Sequence, residues 1–298
     1  MKQYDIALIG GDARIAYMAP CFLEKGYRVI CYGIMDVKGE EASLPTYADS
    51  MEIAIKNAAC VVGGISLFKS GKVFSKKEMP DMTEERFYKC LEEDQMVFGG
   101  VIPERFSELC SERNILCYDF MKDEPLAVFN AVATAEGTIL EALKNKETNI
   151  HGSETLVLGY GRCGKVLSDK LKGMGARVTV CSRCQVELAG AEAVGLSVLP
   201  IRKLEDNIHR FEYIYNTVPA VLLRGNLLTR MRRDVLVIDI ASGEGGVDYG
   251  RAEQLGIHAL HCLGLPGKYA PIISARGLVD FVIRKMEQGK VIYNGNKG

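Results

Sequence analysis

A chain of 298 residues, 48% hydrophobic and 25% charged, has the length of about two ordinary domains and enough apolar side chains to give each a core. Its net charge of -1 offers no electrostatic case for nucleic acid or for an anionic membrane surface. MKQYDIALIGG runs straight into a strand-like segment without a charged leader or cleavage signal, and no apolar run reads as a membrane span, so a cytoplasmic protein is expected. The ten cysteines fall mostly inside apolar runs (Cys31, Cys60, Cys117, Cys181, Cys262), where a reduced thiol packs as a small hydrophobe. Cys181 and Cys184 form a single CxxC with no second pair and no clustered histidines, so no metal is expected.

Residues 4–10, YDIALIG, read as a buried parallel strand ending at Gly10-Gly11, with a helix over Ile15 to Lys25 and a second strand over Tyr27 to Tyr32. Apolar runs near Cys60 to Ile65, Met96 to Ile102 and Ile115 to Phe120 alternate with helical stretches at Glu84 to Glu93 and Pro103 to Arg113, a βαβ series. The first turn, Gly10-Gly11-Asp12-Ala13-Arg14, departs from a nucleotide loop. It lacks the third glycine, and Asp12 puts negative charge where a phosphate would sit. The polar stretch from Ile65 to Pro80 reads as a loop or hairpin, with a lid over a cleft as the alternative. After Asp123-Glu124-Pro125, apolar residues at Val128, Val132, Ala135, Ile139 and Leu143 recur with helical period, and this helix is expected to connect two domains. Asn130, Thr134 and Glu136 are its polar positions.

A second series opens at Thr155. A short apolar run leads into Gly159-Tyr160-Gly161-Arg162-Cys163-Gly164 and a helical segment follows at once. The first glycine of such a turn permits the tight bend, the second admits a pyrophosphate against the backbone, and the third lets helix pack on strand. The next strand, Arg177 to Ser182, ends without the acid that holds a ribose 2′-hydroxyl about 20 residues past the loop in NAD sites. Ser182 and Arg183 stand there instead and suit a 2′-phosphate, which points to NADP with NAD as the alternative; Arg183 as a plain surface charge is the competing reading. Strands at Tyr213 to Thr217, Val235 to Ile240 and His258 to Leu263 end in Thr217-Val218-Pro219, Asp239-Ile240-Ala241-Ser242 and Gly264-Leu265-Pro266, positional candidates for contacting the rest of a dinucleotide. Helical spacing returns from Ala275 to Met286. The expected architecture is α/β, two Rossmann-like doubly wound parallel-sheet domains joined by crossing hinge helices: 1–126 with 275–298, a connector over 127–149, and a dinucleotide domain over 150–274.

Ile9-Gly10-Gly11-Asp12-Ala13-Arg14, Thr134-Ala135-Glu136-Gly137-Thr138, Ile150-His151-Gly152-Ser153, Asn216-Thr217-Val218-Pro219 and Gly264-Leu265-Pro266-Gly267 with Ala270-Pro271 together resemble the family of dipicolinate synthase A subunits, over essentially the whole chain. The resemblance implies two Rossmann-like domains with a cleft between them, as in D-2-hydroxyacid dehydrogenases. It also implies an NADP-binding dehydrogenase subunit, in the mother cell of a sporulating bacterium, that works with a B subunit to oxidise a dihydrodipicolinate-level precursor to pyridine-2,6-dicarboxylate. The chain departs from the family after Ala241-Ser242, where Gly243-Glu244-Gly245-Gly246 replaces an Arg-Pro-Gly-Gly run, and at Lys268-Tyr269, where apolar residues are usual. The missing arginine counts against the alternative of a D-2-hydroxyacid dehydrogenase, while a nucleotide-binding subunit that works only in complex stays open.

A dicarboxylate substrate calls for cationic donors, and Arg14, Lys268 and Arg276 are the candidates, with Gly11, Asp12 and Thr134 beside them; a local Asp12 to Arg14 ion pair is the competing reading. Glu136 and His261 are the candidate proton acceptors, and Lys268 is grouped with them at the reacting centre. Nothing in the sequence decides the oligomeric state, and a homo-oligomer is compatible with it.

Overall fold

The computed structural model describes residues 2–37, 44–77 and 79–295. Met1, residues 38–43, Glu78 and residues 296–298, which belong in part to the expected first domain and to the polar stretch before Pro80, lie outside the described residues. The chain divides into two units, Met1–Phe129 with Ala270–Gly298, and Asn130–Tyr269.

The first unit contains β1 (Tyr4–Ile9), α1 (Ala13–Glu24), β2 (Val29–Tyr32), β3 (Thr46–Tyr47), α2 (Met51–Lys56), β4 (Ala58–Val62), β5 (Phe68–Lys69), β6 (Lys72–Val73), α3 (Glu84–Cys90), β7 (Met96–Gly99), α4 (Glu104–Glu112) and β8 (Leu116–Asp119). Six strands form one parallel sheet in the order β3-β2-β1-β4-β7-β8. The chain winds from β1 outward in one direction, then returns to β4 and winds in the other. Residues of alternating parity face opposite layers, so Ile6 and Leu8 join α1 in one core while Ala7 and Ile9 join Ile55, Phe87 and Phe106 in another. Both faces are covered, which is why these strands read as unbroken apolar runs.

The polar stretch after Ile65 is a hairpin. β5 and β6 pair antiparallel around Ser70 and Gly71, both with positive φ (52° and 72°), as a tight primed turn requires. Its continuation is tied to the sheet, since the Gly11 amide donates to Phe74 O at 2.6 Å and Lys76 donates to Gly11 O at 3.0 Å.

Next comes α5 (Glu124–Asn145), within which the boundary between the units falls. By length and composition α5 is apolar enough to cross a membrane, which corrects the expectation that no stretch is. Half of its most apolar window is buried in the protein, and it carries the buried polar residues Thr138 and Glu141, as suits a core helix.

The second unit contains β9 (Glu154–Leu158), α6 (Arg162–Gly173), β10 (Arg177–Ser182), α7 (Gln185–Ala193), β11 (Ser197–Pro200), α8 (Leu204–Asn207), β12 (Tyr213–Asn216), α9 (Asn226–Arg230), β13 (Leu236–Asp239), α10 (Tyr249–Gln254), β14 (His258–His261) and α11 (Leu265–Tyr269). Its parallel sheet, β11-β10-β9-β12-β13-β14, repeats the topology of the first. The run Gly264 to Tyr269 that follows the last strand is largely the short helix α11; Gly137 on α5 admits it, because a Cβ there would lie 2.9 Å from Leu265.

The closing helix α12 (Pro271–Gly295) starts four residues before the apolar spacing that announces it. It packs on α1 in the core of the first unit through Ala275, Leu278, Val279, Val282 and Met286. Burial of each larger side chain contributes about 1.5–3 kcal/mol, ample to hold the helix there.

Candidate functional site

In the second unit the three glycines between β9 and α6 do three different jobs. Gly159 has φ +86° and an added Cβ would lie 2.6 Å from Thr217 Oγ1. Gly164 sits so close to the strand end that a Cβ would lie 2.3 Å from Gly159 O. Gly161 caps α6 without any side-chain hydrogen bond, and nothing lies within 4 Å of where its Cβ would be. The first turn of α6 holds no acid and its glycine cap brings no side chain, so the positive dipole end of the helix is not answered by a residue of that turn. That arrangement accepts a phosphate. Tyr160 is buried beside the turn with Lys165 over its ring. Burial pushes the Cys163 thiol up, against the pull of Arg162 and of a hydrogen bond with Thr134, which keeps the thiol protonated and unreactive near neutrality.

The neighbouring strand ends are built on two fully buried polar groups, Asn216 and Asp239. Asn216 accepts from the Val218 amide at 3.2 Å and donates to Val218 O at 3.0 Å and to Asp239 Oδ1 at 2.9 Å. Asp239 also accepts from the Ala241 amide at 3.0 Å, the Gly246 amide at 2.5 Å and the Tyr249 hydroxyl at 2.7 Å. Asp239, expected to contact a cofactor, therefore lies sealed beneath the loop and shapes it. Within Gly243-Glu244-Gly245-Gly246 this wrapping accounts for the two glycines shared with an Arg-Pro-Gly-Gly run: a Cβ on Gly245 would lie 2.5 Å from Asp239 Oδ2, and one on Gly246 2.2 Å from Asn216 Nδ2, whereas nothing lies within 4 Å of a Cβ on Gly243. Tyr249, a partner the sequence did not single out, has its hydroxyl pushed up by burial and by its bond to Asp239. Thr217 ties its hydroxyl to Leu158 O at 2.8 Å; Val218, Pro219, Ala241, Ser242 and Pro266 belong to the same set of strand-end loops and α11.

His261 is exposed, stacks on the Tyr249 ring and lies with Nε2 2.9 Å from Ala241 O. A carbonyl only accepts, so Nε2 is the donor here, and in the neutral imidazole Nδ1 is the nitrogen that holds the lone pair. Glu136 is largely exposed and paired with Lys170 at 2.9 Å. Lys268 is paired with Glu141 at 2.5 Å, and the Tyr269 hydroxyl donates to the same carboxylate oxygen. The Glu141 hydrogen bond holds Lys268 well above the ordinary lysine range, so the cation grouped with the reacting centre is one whose charge is already paired. The same contacts, from Lys268 first and then Tyr269, hold the Glu141 carboxyl low.

Ser182 ends β10, next to the glycine turn, because the Gly159 amide donates to Cys181 O at 2.9 Å. Its hydroxyl donates to Glu187 Oε2 at 2.5 Å while its oxygen accepts from the Cys184 amide at 3.0 Å. A serine has one O–H, so Ser182 has none left for a phosphate, and the expected 2′-phosphate contact falls to the exposed Arg183 alone.

In the first unit the equivalent helix end is closed. Asp12 caps α1 by accepting from the Arg14 amide at 3.0 Å, and Arg14 grips the same carboxylate through Nε (3.0 Å) and Nη2 (2.6 Å). Burial pushes the Asp12 carboxyl up, but the hydrogen bond and charge of Arg14 outweigh it and hold the group below its ordinary value. Arg14 is buried and mostly committed, so the local ion pair, rather than a free carboxylate donor, is what the turn contains. Asp81 likewise accepts from the Met51 amide at the start of α2 (3.0 Å) and from the Tyr32 hydroxyl (2.5 Å). Arg276, exposed on α12, has no carboxylate partner among the described residues and lies beside Cys21.

Two cavities, roughly 550 and 520 Å³, lie against the hairpin of the first unit and at the amino ends of β9, β10 and β11. Neither of these two includes a residue of the glycine turn. Among the described residues no group of three or more His, Cys, Asp and Glu is placed to hold a metal ion.

Residues 5–121 match the family model for the N-terminal domain of the dipicolinate synthase A subunit. The A subunit of dipicolinate synthase from Bacillus subtilis (strain 168) is 28% identical over 299 residues, covering 96% of this chain and 98% of that protein. The crystal structure of the dipicolinate synthase A subunit from Bacillus halodurans superposes with a TM-score of 0.84 at 29% identity, over 95% of this chain and 97% of that one. A transhydrogenase from Sinorhizobium meliloti shares the fold alone, with a TM-score of 0.68 at 12% identity over 95% of each chain. Residues 5–121 therefore carry the N-terminal domain of the dipicolinate synthase A-subunit family, and the chain resembles that subunit over nearly its whole length.

Proposed function

We propose that this chain is the dinucleotide-dependent dehydrogenase subunit of a dipicolinate synthase, oxidising a dihydrodipicolinate-level precursor to dipicolinate with NADP+ or NAD+. The observation that carries the reading is the glycine cap of α6: Gly161 makes no side-chain cap bond, the helix's first turn contains no acidic residue, and nothing lies within 4 Å of where the Gly161 Cβ would be. The amides from Gly161 to Gly164 would hold the pyrophosphate, Arg183 a 2′-phosphate, and Thr217, Val218, Pro219, Ala241, Ser242 and Pro266 the remainder. The bound dinucleotide supplies the hydride acceptor. The chain's own residues must position the substrate ring and take up a proton. Nδ1 of the neutral His261 ring is the acceptor we favour, because Nε2 is engaged with Ala241 O and the Glu136 carboxylate is held by Lys170. Arg276 is the cation we favour for meeting a substrate carboxylate, because it is exposed and without a carboxylate partner among the described residues. Gly11, Asp12, Arg14, Thr134 and Lys268 remain proposed neighbours of the substrate, with Arg14 and Lys268 acting through charges that are already paired.

The relatives are named as one subunit of a synthase, which supports a partner chain; we take it to be a B subunit in the cytoplasm of a sporulating mother cell. The same naming favours a second reading, a nucleotide-binding subunit that turns over only in complex. Purified chain is assayed with NADP+ or NAD+ and freshly generated precursor, with and without the B subunit. Dinucleotide reduction together with aromatic product from this chain alone is expected; product only with both chains selects the second reading, and neither in any mixture ends both. Arg183→Ala is expected to weaken NADP+ binding by about tenfold or more while sparing NAD+, since a charge-assisted phosphate contact is lost. Calorimetric titration reads the difference, and equal loss of both dinucleotides removes the 2′-phosphate role.

A further inference from the structure

The acid that the end of β10 lacks in sequence is supplied in space by α7. Glu187, half-buried in the first turn of α7, is held by the Ser182 hydroxyl at 2.5 Å, one strand away from the glycine turn. Ser182 is itself 7% exposed and fixed by the Cys184 amide, so the carboxylate is presented from a rigid support. Glu187 makes no ion pair among the described residues, and Arg183, two residues from Cys181 in the same turn, makes none either. An unpaired carboxylate and an unpaired guanidinium thus flank one strand end. Their preferences are opposite: a carboxylate accepts from a ribose hydroxyl and repels a phosphate, whereas a guanidinium attracts the phosphate and has nothing to accept with.

Resting on the reading that the second unit binds a dinucleotide, we propose that Glu187 is a specificity-determining residue that favours an unphosphorylated ribose and opposes Arg183, with Ser182 as its positioning residue. The chain then accepts both NAD+ and NADP+, and the balance between them is set by this pair.

The test is calorimetric titration of the full chain with each dinucleotide, wild type against Glu187→Gln and Ser182→Ala. Gln keeps an acceptor for Ser182 and removes only the charge, so the fold is expected to survive, which thermal melting checks. Glu187→Gln is expected to tighten NADP+ by about tenfold and to weaken NAD+ a few-fold, because a like charge near the phosphate is gone and a strong acceptor is replaced by a weak one. Ser182→Ala keeps the charge and loses its support, so NAD+ weakens and the selectivity moves the same way by less. A Glu187→Gln protein that melts like the wild type and leaves the NADP+ to NAD+ ratio unchanged overturns the proposal while leaving dinucleotide binding intact. A folded wild type that binds neither dinucleotide overturns the underlying reading and this inference with it.

Discussion

The turns that follow β1 and β9 start from the same plan, a buried parallel strand, a glycine with positive φ and a helix pointing its amide end upward, and they finish as opposites. After β1 the helix end is filled by the chain's own carboxylate: Asp12 caps α1, Arg14 neutralises it, and the segment through Phe74 and Lys76 ties up both backbone groups of Gly11. After β9 the helix end is left to a glycine, with no acid in the first turn and no atom near the missing Cβ. A Rossmann-like topology therefore does not make a phosphate site. What makes one is whether the helix dipole and its unpaired amides are already satisfied from within.

The comparison can be broken at three points. Gly164→Val should have the largest effect, since its Cβ would stand 2.3 Å from Gly159 O and backbone cannot give way as a side chain can. A loss of about 3 kcal/mol or more is expected in denaturant unfolding, with dinucleotide binding abolished. Gly161→Asp is the sharper experiment, because it installs in the second unit the cap that the first one has. The position has φ -76°, acceptable to any residue, and open space, so stability is expected to hold or to rise by about 0.5–1 kcal/mol. Dinucleotide affinity should fall about a hundredfold, because a carboxylate then occupies the phosphate position. Unchanged affinity in a folded Gly161→Asp protein would show that the turn is not the phosphate cradle.

Asp12→Ala should have the smallest effect, a loss of about 2 kcal/mol from the missing cap and the uncompensated Arg14, and it should confer no dinucleotide binding on the first unit while Phe74 and Lys76 still engage Gly11. The Asp12 carboxyl is held below its ordinary value of 3.8 in the folded state. Its contribution is thus fully present above that value and is lost as pH falls through the lowered folded value. The gap in stability between wild type and Asp12→Ala should therefore be constant from neutral pH to about pH 5 and close below pH 3.8, as urea unfolding at a series of pH values would record.

The parts of the site that were legible in the sequence are those that depend on backbone shape. The spacing of Gly159, Gly161 and Gly164 between a strand and a helix announces each glycine's task, and Asp12 in the first turn announces that no phosphate belongs there. Side-chain partners were not legible when they come from another element. Ser182 read as a phosphate donor until Glu187, on the next helix, accepted the one hydrogen bond its hydroxyl can donate. Asp239 read as a contact until Asn216, Gly246 and Tyr249 enclosed it, and Lys268 read as a free cation until Glu141, more than a hundred residues earlier, met it.

Taken alone, then, the order of apolar runs and glycines determined two doubly wound sheets and which of them carries the open turn, because periodicity, strand burial and φ preference are local properties of consecutive residues. The tertiary structure decided which charges are spent and which are available. Hydrogen-bond capacity is finite, one proton for a serine and a few lone pairs for a carboxylate, and only the packing of β10 against α7, of β13 against its loop and of α5 against α11 determines where that capacity goes.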